Sequence, residues 1–278
     1  MGKILDDKQL IVAQSMQRRF INIPSLSIFS ELLQGFTTRH GGVSTEDYST
    51  LNLNFNRPDS KSNVYENYRL LGKDLGVSPH DMVLSHQVHG KRILPVTREH
   101  AGMGIERERS YQNVDGLATS DTGLMLVTHY ADCVPLYFYD PVSKVIALSH
   151  SGWKGTLLDI GGETIRVLKD VYGCEPNNLH IAFGPHIKAC CFEVDNDVTQ
   201  PFLDTFPWAD HYTTHRAEGK WVLDLEGIII QSLLSRGITK DHISGCKVCT
   251  RCHKELFFSH RGCQGKTGTG AAFIMIRG

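Results

Sequence analysis

Five short β-prone segments follow one another between residues 82 and 150, with helical patterns only before and after them. They read MVLSHQV (82–88), RILPVT (92–97), GLMLVTH (123–129), VPLYFYD (134–140) and KVIALSH (144–150), and Asp140-Pro141 separates the last two as a turn dipeptide does. Strands in a run argue against a regular βαβ array. Before the run, SNVYENYRLLGKDL (62–75) places Val64, Tyr68, Leu71 and Leu75 on one helical face, with Ser62 as N-cap and Gly76 just past the end. After it, the spacing predicts a helix over 156–171, with Leu158, Ile165, Leu168 and Val171 on one face. A strand LHIAFG (179–184), a helix LEGIIIQSLLSRG (225–237) and a last strand AAFIMI (271–276) complete the pattern. The expected class is α+β (mixed α/β): a single-domain layered sandwich of mixed β-sheets flanked by helices, spanning 1–278. The polar stretch 98–113 reads as a surface insertion.

A chain of 278 residues with 41% hydrophobic content can bury a core without covalent staples. Its 29 Lys and Arg nearly cancel 30 Asp and Glu, which removes the electrostatic footprint needed for nucleic acid or an anionic membrane and favours a small-molecule partner. No stretch approaches the ~18 apolar residues of a membrane span. The first twenty residues lack the succession of a secretory signal, and Asp6 breaks the myristoylation pattern. The expectation is a cytoplasmic monomer or homodimer. In that compartment the eight cysteines are expected to be thiols, so their spacing bears on metal or nucleophile chemistry rather than on a disulfide framework.

Three segments end in a metal-capable side chain where a strand gives way to a turn: His89 in HQVHG, Cys133 in YADCVPL and His150 in ALSHSGWKG. One Cys and two His from separate elements make a three-ligand set for Zn²⁺ with a fourth position open, the arrangement of catalytic zinc. The same trio also reads as a Cys-His nucleophile pair with an accessory His. A second group, Cys246, Cys249, Cys252 and His253, gives C-x-x-C-x-x-C-H with Cys263 ten residues on. It contains the c-type haem pattern, which belongs outside the cytoplasm, and leaves a structural zinc or iron–sulfur site as the alternative to packing. The adjacent Cys190 and Cys191 read as packing residues. GCQGKTGTG (262–270) fails the P-loop spacing and precedes a strand instead of following one.

The blocks FTTRHGGVS, QVHG, DGLATS, ADCVPL, HSGWKGTL, GPHIKACCFEV, CTRC and FFSHR, in that order from about residue 35 onward, resemble the multicopper polyphenol oxidase or laccase-domain family of cytoplasmic proteins. That family is now associated with purine nucleoside phosphorylase activity. The resemblance implies that His89, Cys133 and His150 form the metal-binding and catalytic triad, and that the fold is a layered α/β sandwich. It further implies adenosine, inosine, guanosine and methylthioadenosine as substrates. Three departures stand out: LNLNFNRPDS (51–60) replaces a Gly-rich stretch, Lys154 stands for Arg in HSGWKG, and GPHI replaces GPAI. Lys is a point charge and does not replace a bidentate Arg fork, so phosphate affinity is where these departures bear.

Under this reading the metal is zinc, with copper as the alternative. A copper polyphenol oxidase needs paired His-X-His motifs, and the chain has none. Zinc would bring the pKa of its water towards neutrality for attack at C6 of adenosine, giving adenosine deaminase activity at the same site as phosphorolysis. Arg39 in its glycine turn is read as a catalytic and phosphate-binding cation and Lys154 as a second one. Asp115 is placed behind a ligand imidazole, and Asp132 beside Cys133 supports the site or carries a proton. His40 and His86 rank below these. Two rivals stand beside the purine enzyme. One is a metal-free cysteine hydrolase, with Cys133 as nucleophile and His150 as base, acting in cell-wall precursor editing. The other is a metal-binding or redox-sensing protein built on the Cys246 to Cys263 cluster.

Overall fold

The structure, a computed structural model, describes residues 19–216 and 219–278; the N-terminal stretch read for targeting signals lies outside the described residues. Two large mixed sheets carry the fold. The first runs β1 (Phe20–Ile21), β2 (Leu32–Thr37), β14 (Gly270–Ile276), β6 (Met125–Tyr130) and β3 (Met82–Leu84). The second runs β13 (Ile243–Ser244), β9 (His180–Phe183), β7 (Val134–Asp140), β8 (Val145–Ser151), β5 (Gly116–Thr119) and β4 (Ile93–Pro95). A small antiparallel sheet of β10 (Glu193–Asp195), β12 (Lys220–Leu223) and β11 (Thr213–His215) stands apart from both.

The side-chain period of two explains how these sheets make layers. In β6, Met125 and Val127 join the cluster around helix α1 (Lys61–Leu75), while Leu126 and Tyr130 join the core shared with the other sheet. β14 divides the same way, with Ala271, Phe273 and Met275 towards the helix and Ala272, Ile274 and Ile276 inward. Hydrogen bonds cross between the sheets, from Tyr130 Oη to the Ser149 carbonyl at 3.0 Å and from Tyr137 Oη to the Gly35 carbonyl at 2.7 Å. On the far face of the second sheet lie α2 (Trp153–Leu157), α3 (Ile160–Tyr172) and α5 (Leu225–Ser235), while α4 (Asn196–Thr205) packs on the small sheet. The expected layered sandwich of mixed sheets flanked by helices is the observed architecture.

Several local expectations need correction. Ser60, not Ser62, occupies the N-cap position of α1; Gly76 ends it in the left-handed region, as its sequence position suggests. The helix expected over 156–171 is two helices, because Asp159 at φ 57° breaks the path and its carboxylate caps the N–H of Gly162 at 3.2 Å. Ile165 and Leu168 are buried, but Leu158, before the break, and Val171, in the last turn of the second helix, are exposed. The stretch 98–113 is more than a surface insertion. Ala101, Met103 and Tyr111 are buried, and Tyr111 Oη holds the Leu84 carbonyl at 2.6 Å. No helix among the described residues is long and apolar enough to cross a membrane.

Candidate metal centre and active site

Strand register brings the three ligand candidates together. β7 and β8 are antiparallel with Val134 opposite Ser151 and Pro135 opposite His150, so Cys133 leaves the start of one strand beside the end of the other. His89 arrives from the loop after β3, and the rings of His89 and His150 meet edge to face at 4.9 Å. The ligand atoms of His89, Cys133 and His150 lie within 4.8 Å of one another. Two imidazoles and a thiolate suit a borderline-soft divalent ion, and three protein donors leave a coordination position open.

Asp115, fully buried, organises this trio. Its carboxylate accepts the backbone N–H groups of Val88 at 3.1 Å, His89 at 2.9 Å and Gly90 at 2.8 Å, and His150 Nδ1 at 2.9 Å. The amides hold His89 at φ 61°, a left-handed conformation that only a well-determined loop sustains. The imidazole bond fixes the tautomer that leaves His150 Nε2 for the site. Burial alone would raise the Asp115 carboxyl, but hydrogen bonding and charge from His150 and the amide donors bring it below the usual range.

Cys133 and His150 polarise each other. Desolvation opposes ionisation of the thiol, yet hydrogen bonds and charge from His150, with help from His89, lower it to about 6. Burial likewise opposes the imidazolium, and Cys133 with Asp115 raise it to about 9. Gly152 makes room for all of this. A Cβ there would stand 2.9 Å from His89 Cδ2 and 3.0 Å from Cys133 Sγ, so the glycine of HSGWKG is a steric requirement.

The trio opens into a cavity of about 520 Å³. That size suits a nucleoside-sized ligand. Trp153 and Phe192 supply aromatic surface, and Arg57, Arg109 and Arg261 supply positive charge. Gln87 stiffens one wall by bonding both the N–H of His129, at 2.7 Å, and its carbonyl, at 2.8 Å. His129 itself is buried, and desolvation lowers it to about 3, so it lines the cavity as a neutral ring.

The other expected site residues distribute unevenly. Asp132 lies at the cavity with both carboxylate oxygens engaged, one by Thr250 Oγ1 at 2.6 Å and one by the N–H of Arg261 at 2.7 Å. His86 also lines it, whereas His40 does not. Arg39 is not brought there either: its guanidinium donates to the carbonyls of Ser49 at 3.0 Å and Lys254 at 2.9 Å and lies over the Phe258 ring. Lys154 is exposed, its ammonium 5.4 Å above the Trp153 ring. Sequence reasoning passed over Arg57, Arg109, Trp153 and Phe192. Arg57 stands in the very segment that departs from the family pattern, which was the available signal; Arg109 sits in the stretch read as a surface insertion, where nothing marked it.

The chain is similar to known proteins in sequence and in fold. The chain is 33% identical over 248 residues, covering 89% of each protein, to the purine nucleoside phosphorylase YlmD of Bacillus subtilis strain 168. The crystal structure of hypothetical protein YfiH from Bacillus licheniformis superposes with a TM-score of 0.90 at 32% identity, covering 95% of this chain and 98% of that one. The crystal structure of YlmD from Geobacillus stearothermophilus gives a TM-score of 0.89 at 33% identity over 95% and 98%. With a family model matched over residues 33–277, the chain belongs to the multi-copper polyphenol oxidoreductase laccase family.

Proposed function

We propose that this protein is a purine nucleoside phosphorylase whose centre is held by His89, Cys133 and His150 with zinc as the resident metal. Adenosine, inosine, guanosine and methylthioadenosine are its substrates, and adenosine is also deaminated at the same centre. The observation that carries the reading is the convergence of two imidazoles and a thiolate at the wall of a nucleoside-sized cavity that also presents arginines. The family relatives named purine nucleoside phosphorylases support it.

The donor set fits a zinc ion, which when bound would supply Lewis acidity for polarising an oxygen or the departing base. The chain's own groups do the rest. Trp153 and Phe192 offer aromatic surface to the purine, and Gln87, bonded to both main-chain groups of His129, keeps that wall fixed. Arg57, whose Nε bonds Thr269 Oγ1 at 3.0 Å, and Arg109, whose Nε bonds the Leu84 carbonyl at 3.3 Å, keep other guanidinium N–H groups for phosphate. Phosphate held there forms a bond to the anomeric ribose carbon as the carbon–nitrogen bond to the purine breaks through an oxocarbenium-like state, and the departing purine nitrogen takes its proton from solvent. Asp115 keeps the His150 ring oriented throughout. Arg39, bonded to the Ser49 and Lys254 carbonyls, and the exposed Lys154 stand outside the cavity lining and take no part in holding phosphate.

A second reading has one observation in its favour: Cys133, His150 and Asp115 form a thiol–imidazole–carboxylate chain suited to a metal-free cysteine hydrolase. Product chromatography of metal-replete protein with adenosine, with and without phosphate, separates the two. Phosphate-dependent adenine, abolished in His89→Ala and Cys133→Ala, is the expected result. No turnover of any purine nucleoside would reject the phosphorylase reading.

A further inference from the structure

In the two loops that bond Asp132, the structure gathers four thiols that the proposed reaction does not use. Cys190 and Cys191, read from sequence as packing residues, meet Cys249 and Cys252, and all four sulfurs lie within 4.8 Å of one another. Cys190 Sγ is 3.7 Å and Cys191 Sγ 3.4 Å from Cys252 Sγ, with 3.8 Å between the two adjacent cysteines. Of the earlier C-x-x-C-x-x-C-H group, Cys246 is buried and engaged with Val248, and Cys263 is outside the cluster.

These separations are diagnostic. A tetrahedral zinc–thiolate bond of about 2.3 Å places its sulfurs about 3.8 Å apart. An iron–sulfur cluster spreads its cysteines by its own width, which a span of 4.8 Å does not accommodate. Neighbouring groups also suit an anionic centre: the positive charge of Arg251 acts on Cys191, Cys252 and Cys249, and the N–H of Lys188 points to Cys249 Sγ at 3.5 Å. We infer that Cys190, Cys191, Cys249 and Cys252 form a second, closed metal site that takes a single divalent ion of the zinc class as a tetrathiolate.

Its place in the fold gives the ion a job. Cys190 and Cys191 lie between Ile187, whose N–H bonds the Asp132 carbonyl at 2.9 Å, and Phe192 on the cavity wall. Cys249 and Cys252 flank Thr250, whose hydroxyl holds the Asp132 carboxylate. One ion would therefore tie together the two loops that clamp Asp132 next to Cys133, without touching substrate. The inference stands independently of what the His89 centre catalyses.

Metal analysis of the full chain, purified under reductant and equilibrated with Zn²⁺, tests it. About two zinc ions per wild-type chain are expected, falling to about one in the Cys190→Ser/Cys252→Ser variant and to about one in His89→Ala. Loading His89→Ala with Co²⁺ should give the intense sulfur-to-metal charge-transfer bands of a tetrathiolate, a readout that does not require the cysteine variant to fold. Absence of those bands, an unchanged metal content in the cysteine variant, or a Cys191–Cys252 disulfide in place of the ion in the reduced preparation would overturn the site.

Discussion

Nδ1 of His150 lies 2.9 Å from Oδ1 of Asp115, and that same oxygen accepts the backbone N–H of His89 at 2.9 Å. One buried carboxylate thus sets the ring of one ligand and the main chain of another. His89 comes from the loop after β3 of the first sheet and His150 from within β8 of the second, so Asp115, at the entry to β5, is the point where the two sheets agree on the geometry of the centre.

Asp115→Asn should therefore weaken the centre more than its small change in volume suggests. The amide nitrogen faces donors where an oxygen is required, and either the His150 ring or the amides around His89 lose a partner. Loss of such an outer partner typically costs 10–100-fold in metal affinity, and that range is expected here by chelator competition. A lowered melting temperature should accompany it, because a buried N–H left without an acceptor costs about 1–3 kcal/mol. Unchanged affinity would show that His150 needs no carboxylate behind it.

Gly152→Ala offers a sharper steric test. Its Cβ would approach His89 Cδ2 closer than real carbon contacts allow and would crowd Cys133 Sγ, while the backbone at 152 is extended and accepts any residue. Turnover is expected to fall at least about tenfold, consistent with displacement of a reacting group by part of an ångström. Circular dichroism and melting should stay near wild type. A fully active Gly152→Ala enzyme would mean that the trio is not the reacting centre.

The layered fold was legible because strand alternation and helix period leave strong marks; β7 appears where VPLYFYD stands, and α5 begins at its expected Leu225. The His89, Cys133 and His150 candidates were legible as metal-capable side chains beside Gly or Asp, although none of them ends a strand: His89 lies in the loop after β3, Cys133 just before β7 and His150 inside β8. What escaped notice shares a different cause. Asp159 breaks a helix by adopting φ 57° to bond Ser232 and Arg236 in a distant helix, and no local pattern encodes those partners. Arg57 and Arg109 reach one cavity from unrelated loops, and the Cys190–Cys191 pair finds its partners about sixty residues away.

Cys133 in metal-free protein should react as a thiolate well below the ordinary thiol range. Its folded pKa is depressed to about 6 by His150, whose own is raised to about 9. The thiol's share of stability is lost as pH falls through about 6, and the imidazolium's as pH rises through about 9, so the pair is strongest between them. Peptide-resolved iodoacetamide labelling across pH should show half-maximal Cys133 reactivity near the lower value. His150→Ala should move it up towards the ordinary thiol range, and bound metal should protect the sulfur. Labelling of Cys133 that is unaffected by chelator would favour the metal-free hydrolase.

The cations of the cavity make the last separable claim. Arg57 and Arg109 line it, whereas Lys154 points to solvent above Trp153 and the Arg39 guanidinium is engaged by main-chain carbonyls. A charge-assisted contact to phosphate is worth roughly 1.5–3 kcal/mol, so Arg57→Ala or Arg109→Ala should raise the phosphate KM about 10–100-fold. The nucleoside KM should change much less. Lys154→Ala should leave both within about fivefold, since an exposed charge contributes at most about 1 kcal/mol. Arg39→Ala should act differently again, lowering the melting temperature through loss of its bonds to Ser49 and Lys254 before it changes the phosphate KM. Initial-rate kinetics with each substrate varied in turn distinguishes these patterns. If Arg39→Ala alone raised the phosphate KM in a protein of unchanged stability, the anion site would lie at the glycine turn and not in this cavity.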